Sequence, residues 1–468
     1  MKKILLVCLF LTSAMAYGQS KEEYLELLQR VEKLETEAKA NAEVVAEAIA
    51  EVETQRELQN ESLAESPKKQ SRLTLGGYGE AIMSRNFYSN SWQRYALPSK
   101  YADDDGYGRF DIPRAVFMVG YDFGKGWSFG AEIEFEHLGT GSAVEIEEEE
   151  TGEYESEIEQ GGEVVLEQFW INKSWSDAFN LKMGHIIVPV GFTNKYHLPT
   201  EYFGVSRPEG DNQIIPTVWH ETGISFWGDA GDWSYEAMFI AGLDADRFSP
   251  ENWVGGSANT IYEFKIANSY AGAFRVDNRS IKNLRLGISG YYGYSASNTL
   301  NSYSYTGSYD GAVAIGSLDW SFTPKNFILR GGIIYGTLSD SYAITIGNAS
   351  ATNASPSPAK AAVGSAAISL GVEAGYNFFG LSKTLTKKNQ EFYLFARYDY
   401  YDSMYETESS VPDYKYWERE CYALGINYSP IKEIVFKAEY QMRNLVDPTY
   451  NDENTFSIGI MWAGFFKL

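Results

Sequence analysis

The chain is poor in the residues that do chemistry. It holds 2 cysteines and 4 histidines in 468 residues, and His137, His185, His197 and His220 lie on four different segments. No Cys/His metal spacing, Gly-x-Ser-x-Gly elbow or phosphate-cradling glycine loop occurs. Glu221 adjoins His220, but neighbours in an extended strand point to opposite faces, so adjacency makes no dyad. The expectation is a protein without cofactor or metal and without enzymatic activity; a barrel-type hydrolase is the weakest alternative. Basic residues are also scarce, 39 against 63 acidic for a net charge of -24, which argues against nucleic acid as a partner.

Long apolar runs are missing too. A membrane-crossing helix needs ~20 apolar residues, and past the N-terminus none exists. The mean hydropathy of -0.31 agrees. What the chain does have is 34 Tyr, 26 Phe, 11 Trp and 43 Gly, a composition suited to many short alternating strands.

The N-terminus reads as a secretory signal over residues 1–18: Lys2 and Lys3, an apolar run from Ile4 to Leu11, then small residues at Ala14 and Ala16. Cys8 would leave with it, so Cys421 would remain alone and no intrachain disulfide could form. Residues 21–62 contain no Gly and no Pro. Tyr24, Leu27, Val31, Leu34, Ala38, Asn41, Val45, Ala48 and Val52 step by alternating threes and fours along one helical seam. This predicts a periplasmic coiled coil, with Asn41 as a register-setting polar residue; the alternative is a single amphipathic helix. A linker at 63–71 is broken at Pro67.

From Arg72 to Leu468 the period is 2. Trp127, Phe129, Ala131, Ile133 and Phe135 alternate with Ser128, Gly130, Glu132, Glu134 and Glu136; Ile434, Phe436, Ala438, Tyr440 and Met442 alternate with Val435, Lys437, Glu439, Gln441 and Arg443. Apolar faces of this length match a tilted membrane strand of ~9–11 residues. Sixteen such segments centre near residues 79, 114, 132, 168, 183, 223, 237, 274, 289, 316, 331, 373, 396, 422, 439 and 461, with fourteen or eighteen strands left open. Tight polar connections alternate with long ones, apart from the longer turn at 380–390. Short turns at one end, long loops at the other and an even strand number are the pattern of an all-β transmembrane antiparallel β-barrel in an outer membrane. The last stretch, Phe456 to Leu468, presents Phe456, Ile458, Ile460 and Trp462 on one face. It is expected to pair with Leu73 to Arg85 and close the sheet, and its aromatic ending resembles a barrel-assembly signal.

Several runs carry a family likeness. Gly76-Gly77-Tyr78-Gly79-Glu80, Arg109-Phe110-Asp111-Ile112-Pro113-Arg114, Glu132-Ile133-Glu134-Phe135-Glu136-His137, Gly184 to Gly191 and Gly223 to Gly242 resemble the phosphate-selective porin O and P family of Bacteroidetes-like outer membranes. The resemblance implies a sixteen-stranded, trimeric, passive diffusion channel in the cell outer membrane, bounded by lipid and passing small hydrophilic solutes or ions, possible anions such as phosphate among them. One departure bears on selectivity: Ile187 stands where the family's Gly-x-x-Lys-x-Pro-Phe-Gly run has Lys. A structural barrel that tethers envelope layers through its coiled coil is the alternative.

Strand parity turns Arg275, Arg285, Arg330, Arg397, Arg419, Lys437 and Arg443 inward, because an Arg or Lys facing lipid at mid-membrane costs ~2–4 kcal/mol. Glu132, Glu134 and Glu136 are expected to face them across the lumen, which would set a transverse field. The competing arrangement pairs Arg397 with Asp399, Lys437 with Glu439 and the others with loop carboxylates. The long connection from Phe192 to Pro216 is expected to narrow the lumen, with Lys195, His197, Glu201, Tyr202 and Arg207, as well as Glu209 and Asp211, stiffened by Leu198-Pro199 and Arg207-Pro208. The glutamate-rich connection from Glu145 to Glu159 reads as a solvated acidic loop without calcium-loop spacing.

Overall fold

The computed structural model describes residues 72–137, 142–148, 154–160, 164–258, 264–298, 309–351 and 362–467, together with a few positions between Glu26 and Thr36. The chain divides into two units, Met1–Ser71 and Arg72–Leu468. In the first, Glu26, Gln29, Arg30, Glu32, Lys33, Leu34 and Thr36 are helical, and the Thr36 hydroxyl donates to the Glu32 carbonyl at 2.7 Å. The signal segment, most of the coiled-coil segment and the linker lie outside the described residues.

The second unit is built from strands. They are β1 (Leu73–Asn86), β2 (Tyr107–Gly124), β3 (Trp127–Glu136), β4 (Ser142–Glu148), β5 (Tyr154–Gln160), β6 (Val164–Ser176), β7 (Phe179–Ile187), β8 (His220–Ala230) and β9 (Trp233–Ala241), followed by β10 (Tyr270–Asn278), β11 (Leu284–Tyr294), β12 (Ala312–Phe322), β13 (Phe327–Leu338), β14 (Ala366–Asn377), β15 (Glu391–Glu406), β16 (Glu418–Ile431), β17 (Ile434–Leu445) and β18 (Thr455–Lys467). All but β4 and β5 form one closed ring in sequence order, with β3 beside β6 and β18 beside β1. Sixteen strands therefore enclose the barrel, one at each of the sixteen segments predicted from the period. β1 and β18 pair antiparallel from Thr74↔Lys467 to Asn86↔Thr455, so the final stretch closes the sheet as its pattern required.

Two local features differ from expectation. The acidic connection is not a plain loop: β4 and β5 pair there as a separate two-stranded ribbon, with Glu145 opposite Glu157 and Glu147 opposite Glu155. Alternating Val144, Ile146 and Ile158 give this segment strand character that its charge count concealed. The long turn after β14 folds as a 3-10 turn, Phe378–Leu381, and a short helix, Lys383–Lys387. Asn377 Oδ1 accepts from the Phe379 and Gly380 amides and anchors it.

The two faces of the barrel follow the alternation. Phe117, Ile133, Leu286, Ile288, Leu318, Leu424, Ile426, Ile458 and Ile460 are exposed on the outside. Trp127, Trp175, Phe179 and Trp233 are exposed near the short turns, and Tyr270, Tyr292 and Tyr405 toward the long loops. An apolar band with aromatic margins is what a lipid-facing barrel wall requires. Phe465 is exposed beside them although parity gives it to the inner side.

The apolar core lies inside the ring, at its long-loop end. Inward Ile315, Ile334 and Leu338 pack against loop residues Ile214, Ile215, Trp219, Leu243, Phe248, Trp253 and Ile344. Trp253 is fully buried and its indole N–H donates to the Gly364 carbonyl at 2.9 Å. Gly336 on β13 makes room for it, since a Cβ there would meet the Trp253 ring at 2.2 Å. This side of the lumen is filled, and any passage must run elsewhere.

Candidate solute channel and its inserted loop

The connection between β7 and β8 folds into the barrel. Its two ends are stapled by Asn194, whose side-chain amide donates to the Val188 carbonyl at 2.5 Å and whose Oδ1 accepts from the Trp219 amide at 2.5 Å. Gly191, at φ 81°, turns the chain inward: its amide donates to Ser289 Oγ on β11 at 3.1 Å, and its carbonyl accepts from Arg275 on β10 at 3.1 Å. Lys195 then reaches Glu236 on β9 at 3.3 Å, and His197 lies edge-on to the Tyr78 ring of β1, with centroids 5.9 Å apart. The Tyr202 hydroxyl donates to Glu80 on β1 at 3.2 Å.

The loop next meets β14, β15 and β17, across the ring from its own strands β7 and β8. Phe203 stacks on Phe395 of β15 at 5.4 Å and 10°. Gly375 on β14 leaves the space, since a Cβ there would sit 2.3 Å from the Phe203 ring. Lys437 on β17 donates to the Tyr202 and Gly204 carbonyls at 2.6 and 2.8 Å, and Arg397 on β15 to the Ser206 carbonyl at 3.3 Å. The Ser206 amide donates to Glu439 at 3.2 Å. Arg207 is buried and donates to the His197 carbonyl at 3.3 Å, holding the loop to itself. Glu201 accepts from the Leu198 amide at 3.3 Å.

A short helix, Glu209–Ile214, completes the insertion. Glu209 pairs with Arg443 at 2.5 Å and accepts from the Tyr401 hydroxyl at 3.0 Å, the Gln441 amide at 2.6 Å and the Cys421 thiol at 3.2 Å. Burial would raise the Glu209 carboxyl, but the Arg443 and Arg419 guanidiniums hold it below the usual range. Asp211 has no such cation; burial pushes it up to about 6 despite its Thr193 and Ser369 hydroxyl donors. Burial and the Arg114 charge push His197 down to about 4.

All seven predicted wall cations are inside the barrel, and the structure gives each a partner. Arg275 and Arg285 share Asp277 and Asp319 at 2.6–2.9 Å. Arg330 pairs with Glu373, its register partner across β13 and β14. Arg397 pairs with Asp399 at 2.9 Å, and Arg443 also with Glu453 at 2.8 Å. Lys437 takes loop carbonyls rather than Glu439. Among the described residues Arg419 has no carboxylate within 4.0 Å and donates to the Tyr401 and Tyr95 hydroxyls and the Tyr416 carbonyl. Breaking a buried pair by removing one partner costs about 3–5 kcal/mol, so these cations act first as anchors of the wall and loop.

Glu132 and Glu134 are buried on β3, with Glu136 half-buried. In the ring order β3 stands eight strands from β13, which carries Arg330. Beside it Glu167 accepts from the Tyr78 hydroxyl at 2.9 Å, and Arg114 pairs with Glu80 at 2.7 Å. Glu80, Arg114, Glu167, Asp277, Asp319, Glu373 and Glu453 were not singled out from sequence. Asp277 was open to discovery, since it shares a strand face with Arg275 two residues away.

Cavities remain beside the loop. One, of about 430 Å³, is lined by Glu80, Asp111, Arg114, Tyr202, Glu439 and Arg443. Another, of about 510 Å³ toward the short turns, is lined by Tyr196, Glu201, Arg285 and Arg330. Two histidines that sequence kept apart also meet: the antiparallel register of β7 and β8 brings His185 Nε2 within 2.5 Å of His220 Nδ1 on the outward face.

The architecture defines the class, a closed sixteen-stranded antiparallel barrel of the membrane type with the β7–β8 loop folded into its lumen. Comparison with known proteins adds the following. Salmonella typhi OmpF, solved in complex with daunomycin, is similar with a TM-score of 0.51 at 8% identity, over 84% of this chain and 98% of that one. An anion-selective porin from Comamonas acidovorans gives a TM-score of 0.47 at 11% identity, over 84% and 100%. An uncharacterized protein of Aquifex aeolicus is 26% identical over 408 residues, 83% of this chain and 79% of the relative. No family model matches the chain.

Proposed function

We propose that this protein is an outer-membrane porin, a passive diffusion channel for small hydrophilic or ionic solutes. The observation that carries the proposal is a loop held inside a closed, apolar-belted barrel by hydrogen bonds to β10 and β11 on one side and to β15 and β17 on the other, with polar cavities left beside it. A structural tether has no need of a lumen narrowed in this way, and the OmpF-like fold accords with a channel. Anions such as phosphate are the finer candidate, suggested by the likeness of Gly76–Glu80 and Arg109–Arg114 to the phosphate-selective family. Ile187 and the carboxylate partners of the wall arginines weigh against tight anion capture. A trimer with the N-terminal helix in the periplasm belongs to the same proposal. Planar-bilayer recording of the purified full chain tests it: stepwise ion conductance is expected, and folded protein that leaves the bilayer tight would overturn the reading. Reversal potential in a salt gradient, with and without neutralisation of Arg330, Arg397 and Lys437, then measures whether the cations select ions.

A further inference from the structure

The long-loop end carries a second feature that the diffusion channel does not require. A cavity of about 1000 Å³ opens there, at the upper end of the size range of small-molecule pockets. Trp92, Tyr95, Tyr414, Tyr416, Trp417 and Tyr450, from three separate connections, line it. Tyr95 and Tyr416 stack at 4.6 Å and 6°, Tyr450 stands edge-on to Tyr416 at 5.3 Å, and Arg419 lies 4.5 Å over the Trp417 ring. Such a bowl of rings presents flat apolar surface to its contents. Trp92 is 61% exposed at the edge of this cavity, where its ring is free to meet a ligand.

The polar groups among the rings are paired. Glu453 joins Arg94 at 2.8 Å and Arg443 at 2.8 Å, and accepts from the Tyr95 hydroxyl at 2.7 Å. Donors and acceptors thus stand side by side, with Arg94 and Arg443 compensated by Glu453 and with Arg419 bound to the Tyr401 and Tyr95 hydroxyls and the Tyr416 carbonyl. An anionic ligand would have to compete with Glu453 and Glu209 for Arg94 and Arg443, and with two tyrosine hydroxyls and a carbonyl for Arg419. A hydroxyl, which donates and accepts at once, fits adjacent Arg and Glu groups without displacing either.

We infer that this vestibule binds a short neutral oligosaccharide, pyranose faces on the rings and hydroxyls on the Arg94–Glu453–Arg443 array. Glu209, Gln213 and Arg443 line both the vestibule and the 430 Å³ cavity, so the sugar would be held at the channel entrance; this capture role rests on the porin reading, whereas the binding does not. Calorimetry on the folded full chain in detergent, with maltotriose, cellotriose and chitotriose as probes, should find saturable binding by at least one. The exposed-ring variant Trp92→Ala/Tyr450→Ala, its folding checked by electrophoretic mobility, should bind that sugar about tenfold more weakly. No binding by any of the three, or an unchanged affinity in the variant, would overturn the assignment. So would markedly tighter binding of trigalacturonate, which would make the site an anion receptor. In bilayers the bound sugar should reduce current when added on the long-loop side; absence of any current would sink the channel reading while calorimetry still decided the site.

Discussion

At the scale of the residue, Glu453 has the clearest dependence on pH. Burial would raise its carboxyl, but Arg419, Arg443 and Arg94 hold it down to about 2, against an ordinary 4.5. A depressed carboxyl contributes stability in full above its unfolded value and loses it as pH falls through the folded one. The fastening of the loop mouth should therefore weaken from pH 4.5 toward 2, by at most on the order of 3 kcal/mol. Thermal unfolding of the wild type and Glu453→Gln checks this: the variant should be less stable at neutral pH and should show a flatter acid limb. Equal pH slopes in both proteins would remove Glu453 from the account. Gly375 makes a steric counterpart. Gly375→Val would collide with Phe203, costing about 1–3 kcal/mol by overpacking, and should increase the open-channel conductance as the loop is displaced. Conductance equal to wild type would mean that Phe203 is not what seats the loop.

At the scale of the element, the inserted loop has little structure of its own and depends on the wall. Phe192–Lys195 and Glu209–Ile214 are single helical turns, too short to persist alone, and between them the chain is held by Tyr202, Phe203, Gly204 and Ser206. Lys437 is the central fastener, because its one ammonium serves two carbonyls. Lys437→Met would leave both carbonyls without their donor, at about 1–3 kcal/mol each if they stay dry, and should produce noisy, larger single-channel steps. Steps of wild-type size and quietness would show that the Phe203 and Glu209 contacts suffice. The strands, by contrast, were open to prediction, because a period of 2 and a lipid-facing band impose a residue type on every second position. The β4–β5 ribbon was hidden because it belongs to neither face of the barrel and its composition is dominated by glutamate. The loop was legible as to place, but its contacts were not. Arg330 and Glu373 lie 43 residues apart and become partners only through register, which parity alone does not fix.

At the scale of the whole molecule, charge is arranged so that the arginine-bearing side of the barrel wall nearly neutralises itself. Asp277, Asp319, Glu373 and Asp399 answer Arg275, Arg285, Arg330 and Arg397, which leaves the loop glutamates for the mouth arginines. A wall so compensated needs no partner chain to cover its interior, and the ring is closed without an open edge. Association of copies must then rest on the outer face or on the N-terminal segment. The seam from Tyr24 to Val52, with Asn41 within it, is the sequence feature suited to specify a copy number. Deleting residues 21–62 should therefore leave a folded, heat-modifiable barrel that dissociates to monomers at lower temperature, read by electrophoresis of unheated samples and by cross-linking. Changing Asn41→Leu within the full chain should keep the association but broaden the distribution of copy numbers, because one polar seam residue is traded for apolar contact. An oligomer untouched by the deletion would assign its cohesion to the barrel wall, and the helix would then be free to engage another envelope component.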